Sequence, residues 1–297
     1  MCCDTPVTTP DSQLAELRST AENLAAEAAA FVRRRRHEVF GDESDAAASS
    51  AVRSKSTPTD PVTVVDTETE SLLRDRLALL RPGEPVLGEE GGGPAASQAK
   101  QSGVVTWVLD PIDGTVNFVY GIPSYAVSVA AQVDGVSVAG AVADVVAGEV
   151  YSAARGLGAR VTGDGGAREL RCTRIDDLSM ALVGTGFGYS PQRRSAQAAL
   201  LTKMLPMVRD MRRVGSAALD LCMVAAGRLD AHYEHGLNVW DWAAGALIAT
   251  EAGARVLLPD PSGAVAGAGL VVAAAPGIAS DLVDALDRSG GLQPLPD

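Results

Sequence analysis

Asp110-Pro111-Ile112-Asp113-Gly114-Thr115 places two carboxylates three residues apart at the end of an apolar run. Pro111 breaks the chain between them, and Gly114 and Thr115 then present backbone N–H groups at a turn. Carboxylates, a free carbonyl and such donors together make a hard-cation site beside an anion site. The competing reading is a tight turn in which Asp110 and Asp113 only cap backbone groups. Glu89-Glu90 also follows an apolar segment and opens onto Gly91-Gly92-Gly93. Clustered acids repel one another, so several in one site need cations to offset them. Asp241, next to Trp240 at a helix start, is a further candidate, with N-terminal capping as its structural alternative. Trp240 shares a helical face with Ala244 and Leu247 and reads as core. The histidines are His37, His232 and His235, and their spacing is a weak metal motif, so His232 and His235 read as structural or surface residues. Ser216, at a helix start without the glycines of a nucleophile elbow, reads as a cap.

The elements that must position these residues are legible in outline. Leu14, Leu17, Leu24, Ala28, Phe31 and Val32 recur at helical spacing after Thr9-Pro10-Asp11, which predicts a helix over 11–38. Arg33 to Arg36 at its end read as a solvated face complementing the helix dipole rather than a nucleic-acid patch. Residues 41–60 lack periodicity and read as a mobile loop that carries Lys55. Leu72, Leu73, Leu77 and Leu80 mark a second helix after Asp66. Val104 to Leu109 reads as a strand. From Tyr125 to Tyr151 turns at Asp134-Gly135 and Ala147-Gly148 predict an antiparallel meander, extended past Gly163-Asp164-Gly165-Gly166. Beyond 178 short strands alternate with helices: a strand at 181–184, then helices marked by Ala196 to Leu205, Ala218 to Ala225, Trp240 to Ile248, and Ala275 to Leu286. The expected division is an α+β N-terminal subdomain over 1–178 and an α/β C-terminal subdomain over 179–297.

Composition bounds the function. With 46% hydrophobic residues the 297-residue chain can bury a sizeable core, and 4% aromatics means that Val, Leu, Ala and Ile must build it. A net charge of −12 argues against non-specific binding to nucleic acid or anionic membrane. Cys2, Cys3, Cys172 and Cys222 lack zinc-finger spacing and suggest no disulfide framework. No apolar run is long enough to span a bilayer, and the N-terminus lacks a signal-peptide pattern, so a soluble cytoplasmic protein is expected.

The motifs also carry a resemblance. Lys55 to Asp66 (Lys-Ser-Thr-Pro-Thr-Asp-Pro-Val-Thr-Val-Val-Asp), Gly88-Glu89-Glu90, Asp110 to Phe118, and Glu234 to Gly245 (Glu-His-Gly-Leu-Asn-Val-Trp-Asp-Trp-Ala-Ala-Gly) resemble, in order, the motifs of the inositol monophosphatase family, in its bacterial SuhB-type branch. That resemblance implies a layered αβαβα sandwich of α+β class, as in the inositol monophosphatase and fructose-1,6-bisphosphatase folds. It implies a Mg²⁺-dependent, lithium-sensitive phosphomonoesterase and a homodimer. By motif position, Glu89, Asp110 and the Ile112 carbonyl would hold a first Mg²⁺. Asp110, Asp113 and Asp241 would hold a second, with Glu89 completing a looser third site. Asp66 and Thr115 would orient the attacking water, the Gly114 and Thr115 amides would bind phosphate, and Glu234 and the Ala217 amide would meet substrate hydroxyls. The substrate implied is inositol 1-phosphate or a related monoester. The alternatives are fructose 1,6-bisphosphate, histidinol phosphate or 3′-phosphoadenosine 5′-phosphate as substrate, or an RNA- or transcription-associated scaffold. Two metal ions suit a dianionic phosphate, and metal-activated water needs no histidine base.

Overall fold

A computed structural model describes residues 10–41, 52–55, 60–94, 102–259 and 269–296. Helix α1 (Asp11–Phe40) begins after Pro10, and its stripe of Leu14, Leu17, Ala21, Leu24, Ala28 and Val32 is buried. Strands β1 (Val52–Ser54) and β2 (Pro61–Thr63) pair antiparallel, with α2 (Val64–Leu80) following directly. The rest of the predicted 41–60 loop, at 42–51 and 56–59, lies outside the described residues. Helix α2 starts two residues ahead of Asp66 because Thr63 and Asp66 form a capping box: Thr63 Oγ1 accepts from the Asp66 amide and Asp66 accepts from Thr63.

Seven strands then form one sheet in chain order: β3 (Val86–Gly88), β4 (Val105–Asp113), β5 (Ala126–Val133), β6 (Val136–Asp144), β7 (Glu149–Ala154), β8 (Ala159–Gly163) and β9 (Gly166–Glu169). Only β3 and β4 pair parallel; the others form the expected meander. A short helix α3 (Thr115–Tyr120) leaves the end of β4. A second sheet has the order β11-β10-β12-β14-β13, built from β10 (Leu182–Thr185), β11 (Asp210–Arg212), β12 (Ala231–His235), β13 (Arg255–Leu257) and β14 (Leu270–Ala274). Its helices are α4 (Pro191–Met204), α5 (Ala217–Ala225), α6 (Val239–Glu251) and α7 (Ala279–Ser289). The helix expected from Ala275 starts at Ala279, because Pro276-Gly277 turns the chain after β14, whose five residues are all buried.

Alternation within β5 shows how the layers stack. Val127, Val129 and Ala131 join the core beneath α1 and α2, whereas Ala126 and Ala130 pack against Ala218, Leu219, Ala244 and Ile248 of α5 and α6. The opposite side of those helices, through Leu221, Val224 and Ala249, meets Val271 and Ala273 of the second sheet. Leu200 and Met204 of α4 with Leu282 and Leu286 of α7 cover that sheet's outer face. The order is therefore helices, sheet, helices, sheet, helices: the αβαβα sandwich. Small residues permit the close central packing; a Cβ on Gly140 would lie 3.1 Å from Ala244, and one on Gly245 2.9 Å from Leu221. Because helices cover both faces of the first sheet, β4 is buried from Val105 through Ile112 and reads as an unbroken apolar run rather than an alternating one.

Candidate active site

The candidate carboxylates other than Asp110 sit near the beginning or end of an element, and β4 shows why spacing alone misleads. Asp110 opposes Ser128 and Asp113 opposes Ala126, so one extra residue is inserted into β4 between them. Residues three apart on a regular strand face opposite ways. The bulge shifts the phase, so Asp110 and Asp113 line the same cavity while Ile112 turns into the core beneath α1. Pro111, having no N–H to donate to the ladder, falls inside the irregular stretch.

That cavity, about 660 Å³, also receives Lys55, Glu89, Gly114, Thr115, Ala217, Glu234 and Asp241. Glu89 comes from the turn after β3, Gly114 and Thr115 from the start of α3, Ala217 from the start of α5, Glu234 from β12 and Asp241 from the start of α6. Gly114 holds φ at 94°, and a Cβ there would lie 3.0 Å from the carbonyls of both Gly215 and Ser124, so only glycine fits. Asp66 is fully buried in the first turn of α2, where Oδ1 accepts from Thr115 Oγ1 at 3.2 Å. The same hydroxyl lies 3.0 Å from the Ile112 carbonyl.

The capping and ligand readings coexist in these acids. Asp110 Oδ1 accepts from the Ile112 amide at 3.0 Å, and Asp241 Oδ2 accepts from the Asn238 amide at 2.6 Å in a capping box. Asp113 Oδ2 accepts from Ser216 Oγ at 2.6 Å and from the Ala218 amide at 2.7 Å. The Ala217 amide is likewise turned toward Asp113. Ser216 is thus both the cap of α5, accepting from the Leu219 amide, and a donor to Asp113.

Burial, then mutual repulsion among Glu89, Asp113 and Asp241, pushes the Asp110 carboxyl well above the usual range. Burial with the charges of Glu89 and Asp113 does the same to Asp241. Burial lifts Asp113 to about 6 against the opposing bonds from Ser216 and Ala218. It lifts Asp66 to about 7 against those from Thr63. Glu234 is pushed up to about 8, first by burial and then by Asp113.

Lys55 Nζ donates to Glu89 Oε1 at 2.7 Å and also to Glu90, a partnership that assigning acids alone does not anticipate. Burial alone would lower the Lys55 ammonium, but Glu89 and Glu90 outweigh it and hold the ammonium above its ordinary range. In this arrangement, among the described residues, no three His, Cys, Asp or Glu side chains stand ready to hold one ion. The donor chemistry nevertheless fits a hard cation: all the side-chain donors are oxygens, and four carboxylates repel one another where little water reaches them.

Sequence reasoning missed the residue that builds the Glu89 turn. Glu70, 3% exposed, accepts from the Glu90 and Gly91 amides at 2.7 and 2.8 Å and from Arg74 Nε at 2.8 Å. A Cβ on Gly88 would stand 2.4 Å from that carboxylate, so Gly88 is required. The available signal was an acid four residues after Asp66 on the same helix face. Two expectations are made more specific. Trp240 is half-buried: it packs against the core of α5, α6 and the first sheet, as expected, and also lines the cavity beside Asp241. Of the two readings of His235, structural or surface, the structural one holds: its ring is buried and Nε2 lies 2.6 Å from the Gly291 carbonyl.

Comparison with known proteins follows the same pattern. The sequence pattern described as the inositol monophosphatase family matches residues 13–289. An inositol-1-monophosphatase of Mycobacterium leprae is 72% identical over 291 residues, which is 98% of this chain and 100% of that protein. The inositol-1-monophosphatase SuhB of Mycobacterium tuberculosis is 70% identical over 292 residues, again 98% of this chain and 100% of its own length. A solved structure of Mycobacterium tuberculosis SuhB superposes with a TM-score of 0.78 at 63% identity, covering 94% of this chain and 98% of the other.

Proposed function

This chain belongs to the inositol monophosphatase family, and we propose that it hydrolyses inositol 1-phosphate and related polyol monophosphates to the free polyol and phosphate, using Mg²⁺. The observation that carries the reading is the single cavity in which Glu89, Asp110, Asp113 and Asp241 adjoin Thr115 and Glu234. Glu89, Asp110, Asp113, Asp241 and the Ile112 carbonyl would hold two to three ions. Bound there, Mg²⁺ supplies charge neutralisation for a phosphate dianion and Lewis acidity toward water and the leaving oxygen.

The chain's own residues do the positioning. The Gly114 and Thr115 amides bind phosphate oxygens, fixing the phosphorus for in-line attack. Thr115 gives its hydrogen to Asp66, which leaves its oxygen free to accept from the attacking water. A carboxyl held near 7 by burial then takes that proton through the hydroxyl. Glu234 receives the polyol, and the Ala217 amide joins it when Asp113 turns from that amide to a cation. Glu234 accepts from hydroxyl groups, which a neutral ring polyol offers and an aromatic leaving group does not. We assign the first 178 residues the metal and phosphate motifs and the remainder the last metal ligand and the polyol contacts.

The basic run does not favour a nucleic-acid scaffold. Arg33 donates to the Val145 carbonyl, Arg35 to Glu68 and Arg36 to the Phe118 carbonyl, so three of its four guanidinium groups serve internal contacts. Tyr120 and Ile122, 69% and 48% exposed beside α3, support a homodimer contact there. No helix among the described residues is long and apolar enough to cross a membrane, and we place the enzyme in the cytoplasm. Phosphate release from inositol 1-phosphate, fructose 1,6-bisphosphate, histidinol phosphate and 3′-phosphoadenosine 5′-phosphate, with Mg²⁺ and with chelator, tests the reading. Inositol 1-phosphate should be preferred and the chelated enzyme inactive; preference for a bisphosphate, or turnover in chelator, refutes it.

A further inference from the structure

Behind Glu234 lies a row of polar groups that the proposed chemistry does not use. Asp220 on α5 and His232 on β12 are 1% and 0% exposed. His232 Nδ1 stands 3.8 Å from Asp220 Oδ2, and His232 Nε2 stands 3.6 Å from Glu234 Oε2. Both ring nitrogens and Asp220 Oδ1 lack hydrogen-bond partners. Unpaired polar atoms buried this deeply are costly, so their persistence in one line calls for an explanation.

The fold makes room for the row. His232 and Glu234 are two apart on β12 and share a face, and β10 runs beside them with Gly184 opposite His232. A Cβ on Gly184 would lie 2.9 Å from Asp220 Oδ1 and 3.1 Å from His232 Nδ1. One on Gly186 would lie 2.1 Å from the Glu234 carboxylate oxygens. Two glycines, also two apart, therefore clear the space that the three side chains occupy.

We propose that His232 is a positioning residue: with Asp220 it forms a buried Asp220–His232–Glu234 relay that aims the Glu234 carboxylate at the substrate's polyol hydroxyls. The proposal rests on Glu234 being the polyol contact. The donors and acceptors match along the line. A neutral imidazole has one donor and one acceptor. Burial and then the Glu234 charge push Asp220 well up, which favours the protonated acid as donor to Nδ1, while burial pushes His232 down to about 3 and keeps the ring neutral. With cations offsetting the Asp113 charge that helps raise Glu234, its carboxylate accepts from Nε2–H and keeps its remaining lone pairs for substrate. A shift of less than about 1 Å brings each contact within hydrogen-bond range. Arg213, which opposes the rise at both Asp220 and Glu234, is the cation acting on the row; β10 brings Gly184, and β14 pairs His232 with Ala273.

The test compares kcat/KM for inositol 1-phosphate with kcat/KM for p-nitrophenyl phosphate, which has no polyol. His232→Phe keeps the ring's bulk without its nitrogens and should lower the ratio roughly 10-fold, the loss of one charge-assisted hydrogen bond. His232→Gln and Asp220→Asn each keep a donor in line and should hold the ratio within about 3-fold of wild type, whereas Asp220→Leu should lower it like His232→Phe. In a Glu234→Gln background His232→Phe should lower it no further. The ¹⁵N spectrum of the wild-type protein, which has only His37, His232 and His235 to assign, should show a neutral His232 protonated at Nε2. A proton on Nδ1, or an equal loss on both substrates in His232→Phe, overturns the relay. If Glu234→Gln shifts the ratio and His232→Phe does not, the relay alone falls. If Glu234→Gln does not shift it either, the assignment of Glu234 falls as well.

Discussion

Asp110 concentrates the conflict between folding and function. It is 1% exposed, and Glu89, Asp113 and Asp241 all raise its carboxyl further. Removing that charge relieves repulsion in the metal-free protein but removes the acid assigned to two ions. Asp110→Asn should therefore lower phosphate release roughly 100-fold or more, as expected where several kcal/mol of charge stabilisation is lost. Its melting temperature in EDTA should equal or exceed that of wild type in EDTA. A variant that turns over normally would remove Asp110 from the metal site. One that unfolds in chelator would show that the carboxylate stabilises the fold by itself.

At the scale of elements, the site is assembled by ends that hold one another. Helix α2 contributes both Asp66, bonded to α3 through Thr115, and Glu70, bonded to the turn that carries Glu89. Glu70→Ala would leave the amides of Glu90 and Gly91 and Arg74 Nε without their acceptor, while Arg74 Nη2 keeps the Gly92 carbonyl. Each orphaned group costs about 1–3 kcal/mol where water cannot replace the acceptor. Glu89 would lose its fixed geometry. Mutating residues that orient metal ligands typically weakens metal affinity about 10–100-fold. A Mg²⁺ titration of activity should show its midpoint displaced upward by that factor, with saturating activity partly restored. An unchanged midpoint would mean that Glu89 does not depend on Glu70.

Across the whole molecule, the buried acids set a pH dependence of stability. Glu234 and Asp66 are held at about 8 and about 7, against an ordinary carboxylate value near 4 in the unfolded chain. The folded state thus binds protons that the unfolded state has released. Stability from these groups is complete below about pH 4 and is lost as pH rises through 7 to 8. In chelator, the melting temperature should fall between pH 5 and 8, and Glu234→Gln, which removes one of the several raised titrations, should flatten that fall in part. An unaltered slope in the variant would show that Glu234 ionises in the ordinary range.

The layered fold was legible in the sequence because long apolar periodicity survives burial: the α1 stripe, the meander from 126 to 154 and the cores of α5 and α6 follow from spacing alone. Glu89, Asp110, Asp113 and Asp241 were legible as carboxylates at the ends of apolar runs, whereas Glu234 entered only through the family resemblance. Tertiary structure alone decided how they face. The bulge in β4 turns Asp110 and Asp113 to one side, a phase change with no one-dimensional signature beyond Pro111. The α2 capping box moved the helix start ahead of Asp66, and the turn at Pro276-Gly277 delayed the last helix to Ala279. Lys55 against Glu89, Glu70 beneath the Glu89 turn, and Asp220 beside His232 join residues 34, about 20 and 12 positions apart. Contacts at such separations depend on which strands pair and which helices cover them, and local propensity and periodicity carry no record of that choice.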